Sequence, residues 1–105
     1  MRTVRPVMLA VAAALALGAT PARAQEVVLK LHHFLPPQAT IQALVFNPWC
    51  EKVGRESGGR IKCQIYPAMQ LGGTPPQLID QAKDGIADIV FTLPGYTAGR
   101  FPLME

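Results

Sequence analysis

The side chains best suited to covalent or metal chemistry are His32 and His33, which are adjacent, and the only two cysteines, Cys50 and Cys63. Nucleophilic catalysis needs a thiol and a base within hydrogen-bond reach, and a third group to orient the base. Cys50 and Cys63 both fall inside stretches patterned as regular elements, not in the loops at strand ends. The chain also lacks a G-x-S-x-G nucleophile elbow. A periplasmic hydrolase using Cys50 or Cys63 with His33 is therefore a minor alternative. Neighbouring residues on a strand face opposite sides, so His32 and His33 cannot share one metal ion. No metal and no cofactor is expected. One histidine is read as packing against a helix; the other, His33, as sitting near a strand end and hydrogen-bonding a ligand oxygen.

Other groups suit non-covalent recognition. Phe34 and Leu93 leave predicted strand ends, and Tyr96 follows Pro94-Gly95. Phe34 is expected to line a pocket. Tyr96 either closes over a ligand and donates its hydroxyl or is a packed loop tyrosine. Gly72-Gly73 precede Thr74 and place free backbone N–H groups at a helix start, where the helix dipole favours an anion. The alternative there is a plain turn feeding a capped helix. No G-x-x-x-x-G-K-[ST] phosphate loop is present. Arg100 is suited to bidentate pairing with a carboxylate, but it lies past the loop and is read as a structural ion pair. Trp49 is read as packed on its helix.

The first residues carry an export signal. Arg2 and Arg5 precede the apolar run Val7–Ala19, and Ala22-Arg23-Ala24 follows as a small-residue cleavage site. Residues 1–24 are assigned to a signal peptide and 25–105 to the mature part, placed in the periplasm with no direct membrane insertion after cleavage. The alternative, a membrane anchor, is opposed by an apolar run shorter than the ~20 residues of a span. The formal net charge of +3 comes from the leader, because Arg2, Arg5 and Arg23 lie there and the remaining charges balance. Nucleic acid is therefore not an expected partner. Export also permits disulfides. Cys50 falls on the first predicted helix and Cys63 on the inward line of the second strand, so the two are either bonded or a pair of buried thiols.

Elements that could position these groups follow from patterning. Val27–Phe34 reads as a strand stopped by Pro36-Pro37. A helix from Ile41 to about Ser57 is expected, capped by Thr40, with Pro48 causing a kink or a restart capped by Asn47, and ended by Gly58-Gly59. Ile61–Tyr66 alternates as an edge strand. Thr74-Pro75-Pro76-Gln77 is a capping box opening a helix with a buried stripe of Leu78, Ile79 and Ala82. Ala87–Leu93 reads as a third strand covered on both faces. The fold class is α/β: β-α-β-α-β with right-handed crossovers and a parallel sheet of order 2-1-3. Winding reverses between strands 1 and 3, which opens a crevice at their carboxyl ends.

Leu29-Lys30-Leu31-His32-His33-Phe34 with Pro36-Pro37, Pro48-Trp49 and Ser57-Gly58-Gly59-Arg60-Ile61 fall in this order along the chain. They are followed by Ile65-Tyr66-Pro67-Ala68-Met69-Gln70-Leu71-Gly72-Gly73, Asp84-Gly85-Ile86-Ala87-Asp88-Ile89 and Pro94–Pro102. Together they resemble the TRAP-transporter DctP family of periplasmic solute-binding proteins. The resemblance implies the start of the first lobe of a two-lobe receptor that closes on a small organic acid, of C4-dicarboxylate or keto acid type. Delivery would be to TRAP membrane subunits powered by an ion gradient. It also implies a carboxylate-clamping arginine downstream of this segment. A truncated, non-binding remnant is the alternative to a working receptor.

Overall fold

A computed structural model describes residues 26–104; the leader read over residues 1–24 lies outside the described residues. Strand β1 (Val27–His33) is followed by a π-helical turn, Gln42–Phe46, that runs into helix α1 (Asn47–Glu56). Strand β2 (Ile61–Tyr66) comes next. A 3-10 turn, Pro75–Gln77, then opens helix α2 (Leu78–Lys83). Strand β3 (Ile89–Phe91) and a 3-10 turn, Pro94–Thr97, complete the order. The strands form one parallel sheet in the order β2-β1-β3, the topology read from the sequence.

β1 is the central strand, but its two halves differ. It pairs with β2 from Val27↔Ile61 to His32↔Tyr66, and with β3 only from Leu31↔Ile89 to His33↔Phe91. Burial follows: Val27 and Val28 are exposed, whereas Leu31, His32 and His33 are buried. Asp88 prepares the second pairing. Its Oδ2 accepts the Lys30 N–H at 2.8 Å and its own N–H donates to the Lys30 carbonyl at 3.0 Å. β3 is shorter than the expected Ala87–Leu93 and half-buried, not covered on both faces. Ala87 is diverted to the preceding turn, where its N–H donates to the Gln81 carbonyl.

Pro48 has no N–H to give the carbonyl four residues back. The chain answers with a widened turn: the Asn47 N–H bonds the Gln42 carbonyl, five residues back. Asn47 has helical φ −60° and ψ −52°, so it continues the helix and does not cap a restart. Nor is the start set by Thr40; the Ala39 carbonyl accepts from Gln42 and Ala43 at 3.0 and 3.1 Å. At the other end Gly58 and Gly59 take φ of 64° and 79°, and the Gly59 N–H bonds Gly54 at 2.9 Å. Ser57 links this end to the next strand, since its Oγ donates to the Gly54 carbonyl and accepts the Ile61 N–H.

The inward line of this helix runs through Gln42, Phe46, Cys50 and Val53, all half-buried. Trp49 falls outside it and is 41% exposed beside the still more exposed Leu44 and Val45, so the packed role expected of it is not seen. In α2 the buried residues are Leu78 and Gln81, with Ile79 and Ala82 only half-buried. Gln77 closes the capping box, its Oε1 accepting the Thr74 N–H at 2.8 Å. β2 has the alternation of an edge strand, with Ile61, Cys63 and Ile65 turned inward and Lys62 and Gln64 exposed.

Cys50 on α1 and Cys63 on β2 are joined by a disulfide, with their Cα atoms 5.2 Å apart and a sequence separation of 13. The bridge locks the helix to the edge strand through a short loop, for which chain entropy gives about 3 kcal/mol. The double variant Cys50→Ala/Cys63→Ala is expected to lose about 3 kcal/mol of unfolding free energy in urea titration. Thiol titration of the unreduced chain is expected to find no reactive cysteine.

Candidate functional site

The carboxyl end of β1 concentrates the chemistry. His32 and His33 are both 0% exposed and point to opposite faces of the sheet. A buried polar ring must have its nitrogens paired. For His32, Nε2 accepts the Leu71 N–H at 3.2 Å, so Nδ1 carries the proton and donates to Gln81 Oε1 at 2.6 Å. The Gln81 amide then donates to the Gly72 carbonyl at 2.9 Å. For His33 the tautomer is reversed. Nδ1 accepts the Leu35 N–H at 3.1 Å, and Nε2–H donates to Gln42 Oε1 at 2.7 Å. His32 is thus the histidine that packs against a helix. His33 has both nitrogens engaged within the chain, and its partner Gln42, half-buried, keeps an NH2 group with no hydrogen bond among the described residues.

The loop after β2 closes over this end. Ala68 and Met69 adopt φ of 52° and 55°, a left-handed conformation that costs a non-glycine residue roughly 1–2 kcal/mol. Two bonds hold them there: the Ala68 N–H donates to the Leu35 carbonyl at 2.8 Å and the Met69 N–H to the His33 carbonyl at 3.0 Å. Nothing in the residue types Ala and Met signals this geometry.

On the α1 face, rings gather at the ends of β1 and β3. Phe34 lies nearly parallel to Phe91 at 5.9 Å and meets Tyr96 edge-on at 5.4 Å. Phe46 touches Phe91 at 5.6 Å and His33 at 5.3 Å. These are the offset and edge-to-face arrangements that aromatic quadrupoles favour. Phe34 is half-buried and Tyr96 is 38% exposed, so the wall keeps an open side. Leu93 is exposed; its carbonyl accepts the Tyr96 N–H at 3.0 Å and so sets the turn that presents the tyrosine. Phe46 and Phe91 were not foreseen here. Their signals were available, since Phe46 is one turn from Gln42 and Phe91 ends the run Ile89-Val90-Phe91. The outer edge of β3 also borders an apolar hollow of about 280 Å³ that Phe91 helps to line.

Gly72 and Gly73 lie on the other face, with His32 and Gln81. Their φ values of 92° and 82° need glycine, and a Cβ on Gly73 would come within 2.7 Å of Gln81 Nε2. The Gly72 N–H is bonded to the Met69 carbonyl at 2.8 Å, and the cleft that these glycines line also holds Asp80 and Asp84. The structure therefore separates the expected site residues into an aromatic group (His33, Phe34, Leu93 and Tyr96) and a glycine turn behind the sheet. Arg100 pairs with Asp80, Nη1 to Oδ1 at 2.9 Å, which is the structural ion pair read from its position. With Cys50 bonded to Cys63, neither supplies the thiolate that a cysteine hydrolase needs. Among the described residues no three His, Cys, Asp or Glu side chains gather as a metal-binding group. Among them, too, no helix is long and apolar enough to cross a membrane.

Residues 31–105 match the family described as "Bacterial extracellular solute-binding protein, family 7". The fold is similar to that of a marine metagenome TRAP solute-binding protein specific for aromatic acid ligands, solved with 3-hydroxybenzoate. Identity is 62% and the TM-score 0.72, over 74% of this chain and 24% of that one. A TRAP solute-binding protein from Rhodoferax ferrireducens T118, solved with copurified benzoate, is 59% identical with a TM-score of 0.69, over 72% of this chain and 24% of the other. Among curated proteins, the outer membrane transporter protein TsaT of Comamonas testosteroni is 29% identical over 83 residues, 79% of this chain and 24% of its own length. The chain thus spans about a quarter of the length of the relatives it matches.

The Gln81 amide is the tie between β1, α2 and the glycine turn. Gln81→Leu leaves the buried His32 N–H without an acceptor and is expected to lower stability by about 1–3 kcal/mol. Gln81→Glu keeps that acceptor but removes the donor to the Gly72 carbonyl and buries a carboxylate, so it too is expected to lower stability. Urea denaturation midpoints of both variants against the unsubstituted chain test this.

Proposed function

The chain belongs to the DctP family, family 7 of the bacterial extracellular solute-binding proteins, and on that premise we propose that it forms part of the binding lobe of a receptor for small aromatic carboxylic acids. The observation that carries this reading is the ring wall of Phe34, Phe91 and Tyr96 at the carboxyl ends of β1 and β3. An arene resting on that wall gains offset or edge-on contact as well as apolar burial. A C4-dicarboxylate or keto acid, expected from the family resemblance, presents little apolar surface to such a wall. Aromatic acids are therefore the better fit, in keeping with the 3-hydroxybenzoate and benzoate held by the two similar receptors.

In this reading the ligand's ring lies against Phe34 and Tyr96, and its carboxylate is met by a cationic group outside this segment. Lobe closure buries the acid, which is released to the membrane subunits of an ion-gradient-driven TRAP transporter. The protein reaches the periplasm through the leader at residues 1–24. No bond is made or broken, and His33 contributes through Gln42 instead of touching the ligand.

Residues 31–104 can be tested in place of the matching segment of the marine receptor. Calorimetry of this chimera is expected to show binding of benzoate and none of succinate. Phe34→Ala and Tyr96→Ala should each weaken benzoate by about tenfold, the loss of roughly 1.4 kcal/mol of ring contact. Succinate binding that ignores both substitutions would defeat the aromatic assignment.

A further inference from the structure

Resting on the aromatic-acid reading, we propose that Gln42 is a specificity-determining residue of this half of the crevice. Its side-chain amide donates a hydrogen bond to an oxygen substituent on the ligand's ring, and His33 is the positioning residue that aims it.

The orientation of the amide follows from a chain of donors and acceptors that starts in the backbone. The Leu35 N–H can only donate, and it donates to His33 Nδ1 at 3.1 Å. A ring nitrogen that accepts carries no proton, so the neutral imidazole holds its proton on Nε2. Nε2 lies 2.7 Å from the Gln42 side chain, which must therefore present its oxygen. The NH2 end is left as a donor turned away from His33. It makes no hydrogen bond among the described residues, and Gln42 is half-exposed while His33 is fully buried. A glutamine amide that is free to flip reads donors and acceptors alike. This one is held as a donor by a group that cannot itself reverse.

Its location matches the wall. Gln42 opens the π-helical turn and Phe46 closes it. The Phe46 ring sits 5.3 Å from His33 and 5.6 Å from Phe91, which in turn stacks near Phe34. The donor thus shares a turn with Phe46, and none of the ion pairs among the described residues involves that turn. A carboxylate is held best by a cation, and Arg100 is occupied by Asp80. A neutral amide beside a neutral imidazole suits a neutral acceptor, such as a ring hydroxyl.

The test uses the chimera carrying residues 31–104 in the marine receptor, with benzoate and 3-hydroxybenzoate as probes. Gln42→Met is expected to reduce the preference for 3-hydroxybenzoate over benzoate by about tenfold, the loss of one ligand hydrogen bond. Benzoate affinity should stay within about twofold, a change smaller than one net hydrogen bond. His33→Phe, which keeps a ring against Phe46 but releases the amide, should lower the same 3-hydroxybenzoate-to-benzoate ratio beyond any loss that the two acids share. Should Gln42→Met fail to fold, Gln42→Leu removes the same donor without adding charge, and the same ratio is read. Equal weakening of both acids overturns the proposal, because Gln42 would then hold the carboxylate. An unchanged ratio overturns it also. An unsubstituted chimera that binds neither acid overturns the aromatic-acid reading itself, and this inference with it.

Discussion

Two imidazoles with no access to water sit side by side at the end of β1, and pairing their nitrogens organises everything around them. Each ring takes one backbone N–H as donor and one glutamine oxygen as acceptor. His32 draws in Leu71 of the loop after β2 and Gln81 of α2; His33 draws in its own continuation at Leu35 and Gln42 at the head of the π-helical turn. A buried polar group left unpaired costs about 1–3 kcal/mol. Those partners therefore have little freedom to move independently of the strand. Two layers of helix are joined to one strand by side-chain bonds as well as by apolar packing, in a sheet whose fully buried apolar side chains are few.

The same constraint explains the strained loop. Ala68 and Met69 would leave the left-handed region if nothing held them, yet their N–H groups are bound to the carbonyls of Leu35, just past β1, and of His33, its last residue. Strain of this kind persists where surrounding bonds over-determine the backbone. β1 is thus divided in function. Its first half pairs with β2 alone and lies beside the disulfide of α1; its second half is paired on both sides and carries both histidines.

Much of the architecture was legible because it rests on local chemistry. Capping at Thr74 and Gln77, termination at Gly58-Gly59 and the alternation of Ile61–Tyr66 are decided by neighbouring residues, and the strand order followed from them. What was not legible depends on partners distant in the chain. Pro48 announces a disturbance but not its form, a widened turn in which Phe46 meets Phe91. His33 ends β1 as read from the sequence, but its tautomer is set by Leu35 and its other nitrogen is taken by Gln42, nine residues on. Gly72-Gly73 could be a plain turn or an anion site. The neighbouring Asp80 and Asp84 and the Gln81 bond to Gly72 favour the turn.

Placing the rings and the Gln42 amide on one face of the sheet has a consequence for recognition. An aromatic wall alone tolerates many arenes, because apolar contact scales with area and discriminates weakly. A donor alone binds any acceptor that reaches it. Selectivity arises when a fixed donor stands at a fixed distance from a flat apolar surface, so that only a ligand with an oxygen at the right ring position satisfies both. Here the surface is tied to β3 through Phe91, and the donor to β1 through His33. Since His33 and Phe91 are register partners across the parallel pair, the spacing between wall and donor is set by the sheet itself and not by a flexible loop.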